Sequence, residues 1–144
     1  MSDAILSETL AAIAAERPER FDRSFGLADR LLAELGEADL AERLLEAISE
    51  ECPWEVVADL LGILCWQTTD NGAELMRSAE EWLRAGDDLR RVRIALHMEA
   101  YPFLDRAEME RVLLRVAFRL PAVAARCAEL IAGRWRDDPA PTVG

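Results

Sequence analysis

The chain has 144 residues, of which 51% are hydrophobic, 6% aromatic and 31% charged, and its net charge is −11. A chain of this length forms one ordinary domain that buries a core without disulfides, and its dominance by Leu and Ala favours helices over strands. The longest uninterrupted apolar run has seven residues, whereas a membrane span needs about 20, and the N-terminus lacks the basic segment of a secretory signal, so we expect a soluble cytoplasmic protein.

Helix-capping residues recur along the chain, and the apolar residues between them repeat at i, i+3, i+4 and i+7. These two patterns predict an all-α protein with about eight helices and almost no strand. The predicted helices span, in chain order, 3–16, 18–35, 38–50, 53–68, 72–85, 88–100, 105–120 and 122–136. We expect a single domain over 1–136 and a flexible tail over 137–144, where Asp-Asp-Pro-Ala-Pro ends the helical pattern.

Start and stop signals place these boundaries. Pro18 and Pro53 stand at the first positions of the second and fourth helices, and Gly86 follows the last residue of the fifth. Asp87 or Asp88 is expected to cap the sixth helix, and Asp105 the seventh. The predicted core-facing residues of the seventh helix are Met109, Val112, Leu113, Val116 and Leu120.

The turns within successive helix pairs fall near 17–20, 51–54, 86–88 and 120–122, so they recur every 31 to 35 residues. Such a period is typical of a stack of helix pairs. The segment Gly86-Asp87-Asp88-Leu89-Arg90-Arg91-Val92-Arg93 resembles the turn of HEAT repeats, in which an acidic loop precedes a Val-Arg pair that opens the second helix. The resemblance implies four HEAT-like pairs of antiparallel helices in a short α-solenoid, with the second helix of each pair on the concave side. A closed bundle of the same helices is the alternative.

The negative charge is concentrated in the first half of the chain. Residues 1–72 hold 16 acidic residues and 5 arginines, whereas residues 73–144 hold 12 of each. Within 34–59, nine acidic residues are accompanied only by Arg43. A field of one sign steers oppositely charged partners toward it and repels nucleic acid and anionic lipid. We therefore expect a basic protein partner, and neither nucleic acid nor a membrane.

Signatures of catalysis and of metal binding are missing from the sequence. His97 is the single histidine, and Cys52, Cys65 and Cys127 are far apart and form no Cys-x-x-Cys pair, which predicts three buried thiols. The sequence has no phosphate-binding loop, dinucleotide fingerprint or nucleophile elbow. A dyad of Cys65 and His97 is conceivable, but it would lack an oxyanion donor and an orienting group. We expect a protein without enzymatic activity, cofactor or metal.

Two stripes of residues are predicted on the outward faces of the fourth and sixth helices. Glu55, Asp59, Gly62 and Trp66 fall at i, i+4, i+7 and i+11, and Arg90, Ile94, His97 and Tyr101 repeat the pattern. Acidic and aromatic side chains in such an array have the composition of a binding hot spot, although aromatic residues at this spacing also pack between helices. Gly62 indicates a close backbone approach, either to another helix or to a ligand. The candidate partner-binding residues are Glu42, Glu46, Glu50, Glu55, Asp59, Trp66, His97 and Tyr101.

Three functions are compatible with these features. Small acidic helical-repeat proteins of bacteria resemble immunity proteins, which neutralise a toxin by covering its basic active site, so an inhibitor of a basic partner is the first. The second is a scaffold or adaptor that holds a peptide or helix in a concave groove and depends on Trp66 and Tyr101. The third is an enzyme that uses Cys65 and His97.

Overall fold

A computed structural model describes residues 3–18, 20–98 and 100–137. Over these residues the chain forms eight α-helices and no strand, which confirms the predicted all-α class. The helices are α1 (Asp3–Glu16), α2 (Asp22–Leu35), α3 (Leu40–Ala47), α4 (Trp54–Cys65), α5 (Ala73–Ala85), α6 (Leu89–Leu96), α7 (Arg106–Arg119) and α8 (Ala124–Asp137), with a 3₁₀ turn at Pro121–Val123. None of these helices is long and apolar enough to cross a membrane.

Four predicted boundaries are wrong by three or four residues. α3 and α4 end at Ala47 and Cys65 rather than near residues 50 and 68, and the start of the second helix and the end of the sixth are each displaced by four residues. α2 begins at Asp22 rather than Pro18, because the carboxylate of Glu16 accepts hydrogen bonds from the first-turn N–H groups of residues 23 and 24 and so caps the helix there. α6 ends at Leu96 rather than near residue 100. Its last turn tightens, with the N–H of His97 bonded to the carbonyl of Ile94.

The chain divides into two compact units, Met1–Ser78 and Ala79–Gly144. In the first, which we call the N-terminal unit, α1 packs against α2, and α4 packs against both of them. Its largest fully buried side chains are aliphatic: Ile13, Leu31, Leu40, Leu44, Leu60, Leu61 and Leu64. Three of these seven belong to α4, so the most apolar helix of the sequence supplies much of the centre of this unit.

In the C-terminal unit, α7 packs against α8 and against the 3₁₀ turn that precedes it. Four of the five predicted core residues of α7 are buried and Leu120 is half-buried. The single domain over 1–136 stays a prediction. Of the predicted tail, 137–144, only Asp137 lies within the described residues, where it ends α8.

The acidic turn between α5 and α6 has the local structure that the sequence predicted. α5 ends at Ala85, Gly86 adopts a φ of +61°, and the carboxylate of Asp88 accepts a hydrogen bond from the N–H of Arg91 at 3.1 Å. In the same way, the carboxylate of Asp105 caps α7 by accepting a hydrogen bond from the backbone N–H of Ala107 at 3.0 Å. Both predicted caps are confirmed. The HEAT-like stacking of the whole chain stays a prediction.

Gly62, in the middle of α4, has open space where a side chain would project. A Cβ added there would meet no atom within 4 Å, so the predicted close approach to another helix is wrong, whereas an approach to a ligand stays a prediction. Glycine in a helix interior costs roughly 0.5–1 kcal/mol relative to alanine. We therefore expect Gly62→Ala to raise the free energy of unfolding by about that amount, measured as a higher urea midpoint. Gly26→Ala in α2, where the space is also open, should do the same, and a loss of stability in both would contradict this description.

Candidate protein-binding surface

Acidic side chains of the N-terminal unit lie on α3 and in the segments that flank it. Those of the 34–59 segment that are exposed form what we call the acidic surface: Glu34, Asp39, Glu46, Glu50 and Glu51. Of the predicted partner-binding residues, Glu46 and Glu50 belong to this surface, whereas Glu42 and Glu55 are half-buried. Because the side chains of this surface are all acidic, it presents a field of one sign to solvent.

Arg43, the single basic residue of this segment, is held against the turn between α2 and α3. Its Nε donates to the carbonyl of Ala38 at 2.9 Å, and its NH2 group donates to the carbonyl of Gly36 at 3.1 Å. Cations at the C-terminal end of a helix are stabilised by the carbonyls exposed there. The arginine thus closes the turn after α2.

Other acidic residues of the N-terminal unit hold the structure together. The hydroxyl of Ser24 donates to Glu16, which lowers the pKa of the Glu16 carboxyl below its ordinary value. The backbone N–H of Glu74 donates to Asp70 at 3.0 Å and lowers the pKa of that carboxyl in the same way. Glu37 accepts two hydrogen bonds, each 2.9 Å long, from the turn after α4. These three carboxylates have structural partners, which separates them from the acidic surface.

The predicted stripe on α4 lies on one helix face as its spacing indicated. Trp66 is the first residue after α4 and keeps helical backbone angles, and 69% of its surface is exposed. Asp59 is half-buried and forms an ion pair with Arg17 from the turn after α1. Glu55 and Gly62 are half-buried as well. Asp59 therefore joins two elements of the unit, and Trp66 is the most accessible member of the stripe.

A second exposed aromatic residue lies near the end of α4. The side-chain amide of Gln67 donates to the backbone carbonyl of Phe25 at 2.8 Å, and Phe25 is 41% exposed. Because Gln67 follows Trp66 directly, this bond brings the turn after α4 to the first half of α2. Aromatic side chains accessible in this way are the kind that bury most area when a protein partner binds.

A depression of about 290 Å³ opens between α1, α2 and α3. Its lining is mostly apolar, and the acidic surface contributes one carboxylate to it. The residues around it are Asp3, Leu6, Leu31, Leu35, Arg43, Glu46 and Ala47. No local sequence pattern marks this depression, because its lining comes from three helices.

In the C-terminal unit the predicted stripe on the sixth helix does not form. Ile94 is fully buried, and Tyr101 lies five residues beyond the end of α6. The prediction was wrong because it extended the helix to residue 100. His97 is exposed and terminates α6, with its Nδ1 atom 2.9 Å from the carbonyl oxygen of Arg93.

Tyr101 is half-buried and bonded to the end of α8. Its hydroxyl donates to Asp137 at 2.7 Å, and this hydrogen bond raises the pKa of the tyrosine above its ordinary value. The bond fastens the segment between α6 and α7 to α8. We therefore assign Tyr101 a structural partner, although the sequence predicted it as a contact for another protein.

Arg134 of α8 fastens the same segment from inside the unit. It is 7% exposed, and its guanidinium donates to the carbonyls of Pro102, Phe103 and Leu104 at 3.0, 2.7 and 2.8 Å. In addition, a carboxylate oxygen of Glu80 accepts a hydrogen bond from the backbone N–H of Phe103 at 2.8 Å. No sequence pattern marks Arg134, because its partners lie about 30 residues away and are backbone atoms. We call this arrangement the arginine clamp.

Metal-ligand geometry and thiol chemistry can be examined at the three cysteines and the single histidine. Within 3–18, 20–98 and 100–137, no group of three or more His, Cys, Asp or Glu side chains is arranged to hold a metal ion. Burial raises the pKa of the Cys127 thiol to about 11, so it stays protonated and weakly nucleophilic near neutral pH. Cys127 is buried as predicted, whereas Cys52 and Cys65 are half-buried. Cys65 belongs to the N-terminal unit and His97 to the C-terminal unit.

No protein-family model, curated protein or solved structure matches this chain.

Proposed function

We propose that the protein is a non-catalytic binding module that captures a basic protein partner through the acidic surface of its N-terminal unit. The partner class that fits is an enzyme or toxin with a basic cleft, which an acidic surface can cover and block, as an immunity or inhibitor protein does. Glu46 and Glu50 are the proposed charged contacts, with Glu42 and Glu55 beside them and Trp66 as an aromatic anchor.

One observation carries this proposal: the acidic residues of 34–59 that reach solvent are accompanied by one arginine, and that arginine is bonded to backbone carbonyls. The carboxylates of Glu16, Glu37 and Asp70, which lie outside the acidic surface, accept hydrogen bonds that hold the fold. Exposed like charges at this density repel one another and lower stability. A surface that lowers the stability of its own fold is expected where binding to an opposite charge compensates for it.

We also propose that the helices form a stack of HEAT-like pairs. In a stack of HEAT-like pairs, the second helices of neighbouring pairs lie side by side, and α2 and α4 do contact each other. α4 also contacts α1, as the alternative of a closed bundle would favour. We propose the stack because the period of the turns and the acidic turn before α6 both favour it.

A scaffold or adaptor is the second candidate, and the exposure of Trp66 favours it. A module that holds a peptide or a helix would bind through an accessible aromatic side chain more than through distributed charge. In that case Trp66→Ser would remove binding, and reversal of the acidic surface would leave it almost unchanged.

Charge reversal tests the leading proposal. The variant Glu46→Arg, Glu50→Arg, Glu51→Arg changes three exposed residues and spares half-buried Glu42, so we expect the fold to remain intact by circular dichroism. The tagged protein should recover a basic protein from cells that encode it, at low salt, and the triple variant should lose about 100-fold in affinity for that protein.

The matched control reverses three exposed acids of the C-terminal unit, Glu81, Asp87 and Glu129. It changes the net charge by the same amount and should retain binding to within a few-fold. Equal losses in both variants would mean that the total charge, and not the acidic surface, determines binding, and would overturn the proposal.

A further inference from the structure

α7 carries apolar side chains on two opposite faces. The inner face holds the buried residues that pack in the C-terminal unit. The outer face holds Ala107, Arg111, Leu114 and Phe118, at i, i+4, i+7 and i+11, and all four are exposed. Leu114 is 57% exposed and Phe118 is 87% exposed. Single exposed apolar residues are ordinary, but two large ones on adjacent turns of a helix form a patch that favours contact with another surface.

Arginines frame this patch. Between residues 111 and 128 the chain has four arginines and no acidic residue. Arg115 and Arg119 are exposed and donate to the carbonyls of Arg84 and Ala85, at 3.3 and 3.0 Å, which anchors both side chains beside the end of α5. The patch is therefore apolar at its centre and positively charged at its edge. Its complement is an apolar depression with carboxylates at its rim.

The same chain presents such a depression, between α1, α2 and α3 of the N-terminal unit. Its volume of about 290 Å³ is at the small end of ligand pockets and suits one large side chain. Leu6, Leu31 and Leu35 line it, and Glu46 stands beside it. Arg43 lines it as well, and a guanidinium packs favourably against an aromatic ring.

We propose that Phe118 of one copy of the protein docks in this depression on a second copy. Leu114 would pack at the rim, and Arg115 and Arg119 would face the acidic surface. Each copy then offers one Phe118 patch and one depression, so the contact is head-to-tail and extends a chain or closes a ring. This contact does not rest on the proposed capture of a basic protein, but both contacts involve Glu46, so they would compete for it.

This self-association should be weak. One side chain and the arginines around it bury less than the roughly 1,200 Å² at the lower end of standard interfaces, so we expect a weak, transient contact with a dissociation constant on the order of 10 to 100 µM. Two chains of charge −11 also repel each other, but at about 0.15 M salt this repulsion is screened beyond about 8 Å, whereas contact pairs persist.

Sedimentation velocity of the full-length protein between about 5 and 500 µM tests the contact. The mean mass should rise with concentration in the wild type, and Phe118→Ser should remain monomeric over the whole range. Trp66→Ser removes another exposed aromatic side chain, from the N-terminal unit, and should associate as the wild type does. A wild type that is monomeric at every concentration, or a Phe118→Ser variant that associates equally well, would overturn the proposal.

Mixing two variants identifies both sides of the contact. Phe118→Ser keeps the depression, and the double variant Glu46→Arg, Ala47→Trp keeps the Phe118 patch while it fills and recharges the depression. Each should be monomeric alone, whereas an equimolar mixture should form a 1:1 dimer that grows no further. A mixture that stays monomeric would show that Phe118 docks elsewhere or not at all, and would exclude this pairing.

Discussion

Replacing Arg134 with leucine is expected to lower the free energy of unfolding of the C-terminal unit by about 3 kcal/mol. In the arginine clamp, the guanidinium of Arg134 donates hydrogen bonds to three consecutive backbone carbonyls, those of residues 102 to 104. Leucine fills part of the space but donates no hydrogen bond, so these acceptors would lose their buried partner. The loss combines several charge-assisted hydrogen bonds, each stronger than a neutral one.

Guanidinium chloride unfolding measures this loss, and hydrogen exchange of the α7 amides localises it. Arg136→Leu is the matched control, because Arg136 is exposed two residues further along α8, and it should change stability by less than about 0.5 kcal/mol. Arg134→Lys should fall between the two, since an ammonium group lacks the planar fork that reaches several carbonyls at once. If Arg134→Leu were as stable as the control, the clamp would contribute nothing to the fold.

Gly72→Ala is the second substitution with a large expected effect, a loss of about 3 kcal/mol from the N-terminal unit. Gly72 has a φ of +82°, where an L-residue is strained, and an added Cβ would lie 2.7 Å from the Cβ and 3.0 Å from the Cα of Cys65. The turn has little freedom to move away, because the N–H of Gly72 is bonded to the hydroxyl of Thr68 at 2.8 Å and to Asp70 at 3.1 Å.

Gly36→Ala separates the cost of backbone strain from the cost of the close contact with Cys65. Gly36 also has a positive φ, +73°, but an added Cβ would meet no atom within 4 Å, so this variant should show backbone strain alone, about 1–2 kcal/mol. Urea unfolding followed by far-UV circular dichroism gives both values. Similar losses in the two variants would mean that the contact with Cys65 is relieved cheaply.

The sequence predicted those features of the fold that depend on neighbours in the chain. Asp88 and Asp105 cap helices through N–H groups only two or three residues away, and the buried face of α7 follows from helical spacing. Such features are local, so residue type and spacing suffice to predict them. The start of α2 was missed because its capping carboxylate, Glu16, lies seven and eight residues before the groups that it binds.

Features that depend on tertiary contacts could not be predicted from the sequence. The partners of Arg134 are backbone carbonyls about 30 residues away, and a carbonyl has no signature in a sequence. The outer face of α7 was overlooked for a related reason: Leu114 and Phe118 lie beside core residues in the sequence, and only the packing of α7 shows which apolar residues remain exposed.

The candidate site was predictable in part. The acidic segment 34–59 could be located by counting charges along the sequence, because the net charge of a segment depends only on the residues that it contains. It did not separate carboxylates that hold the fold, such as Glu37 and Asp59, from exposed ones such as Glu46 and Glu50. The structure makes that separation, and it reduces the proposed contact to fewer residues than the sequence suggested.

The salt dependence of affinity is the most direct test of the proposed capture through the acidic surface. Calorimetric titration of the recovered basic protein should give an affinity that falls at least about tenfold between about 50 and 300 mM salt, since exposed charge pairs are screened. The variant Glu46→Arg, Glu50→Arg, Glu51→Arg should bind weakly throughout and show little dependence on salt. Affinity that is independent of salt in the wild type and unchanged in the variant would contradict the account.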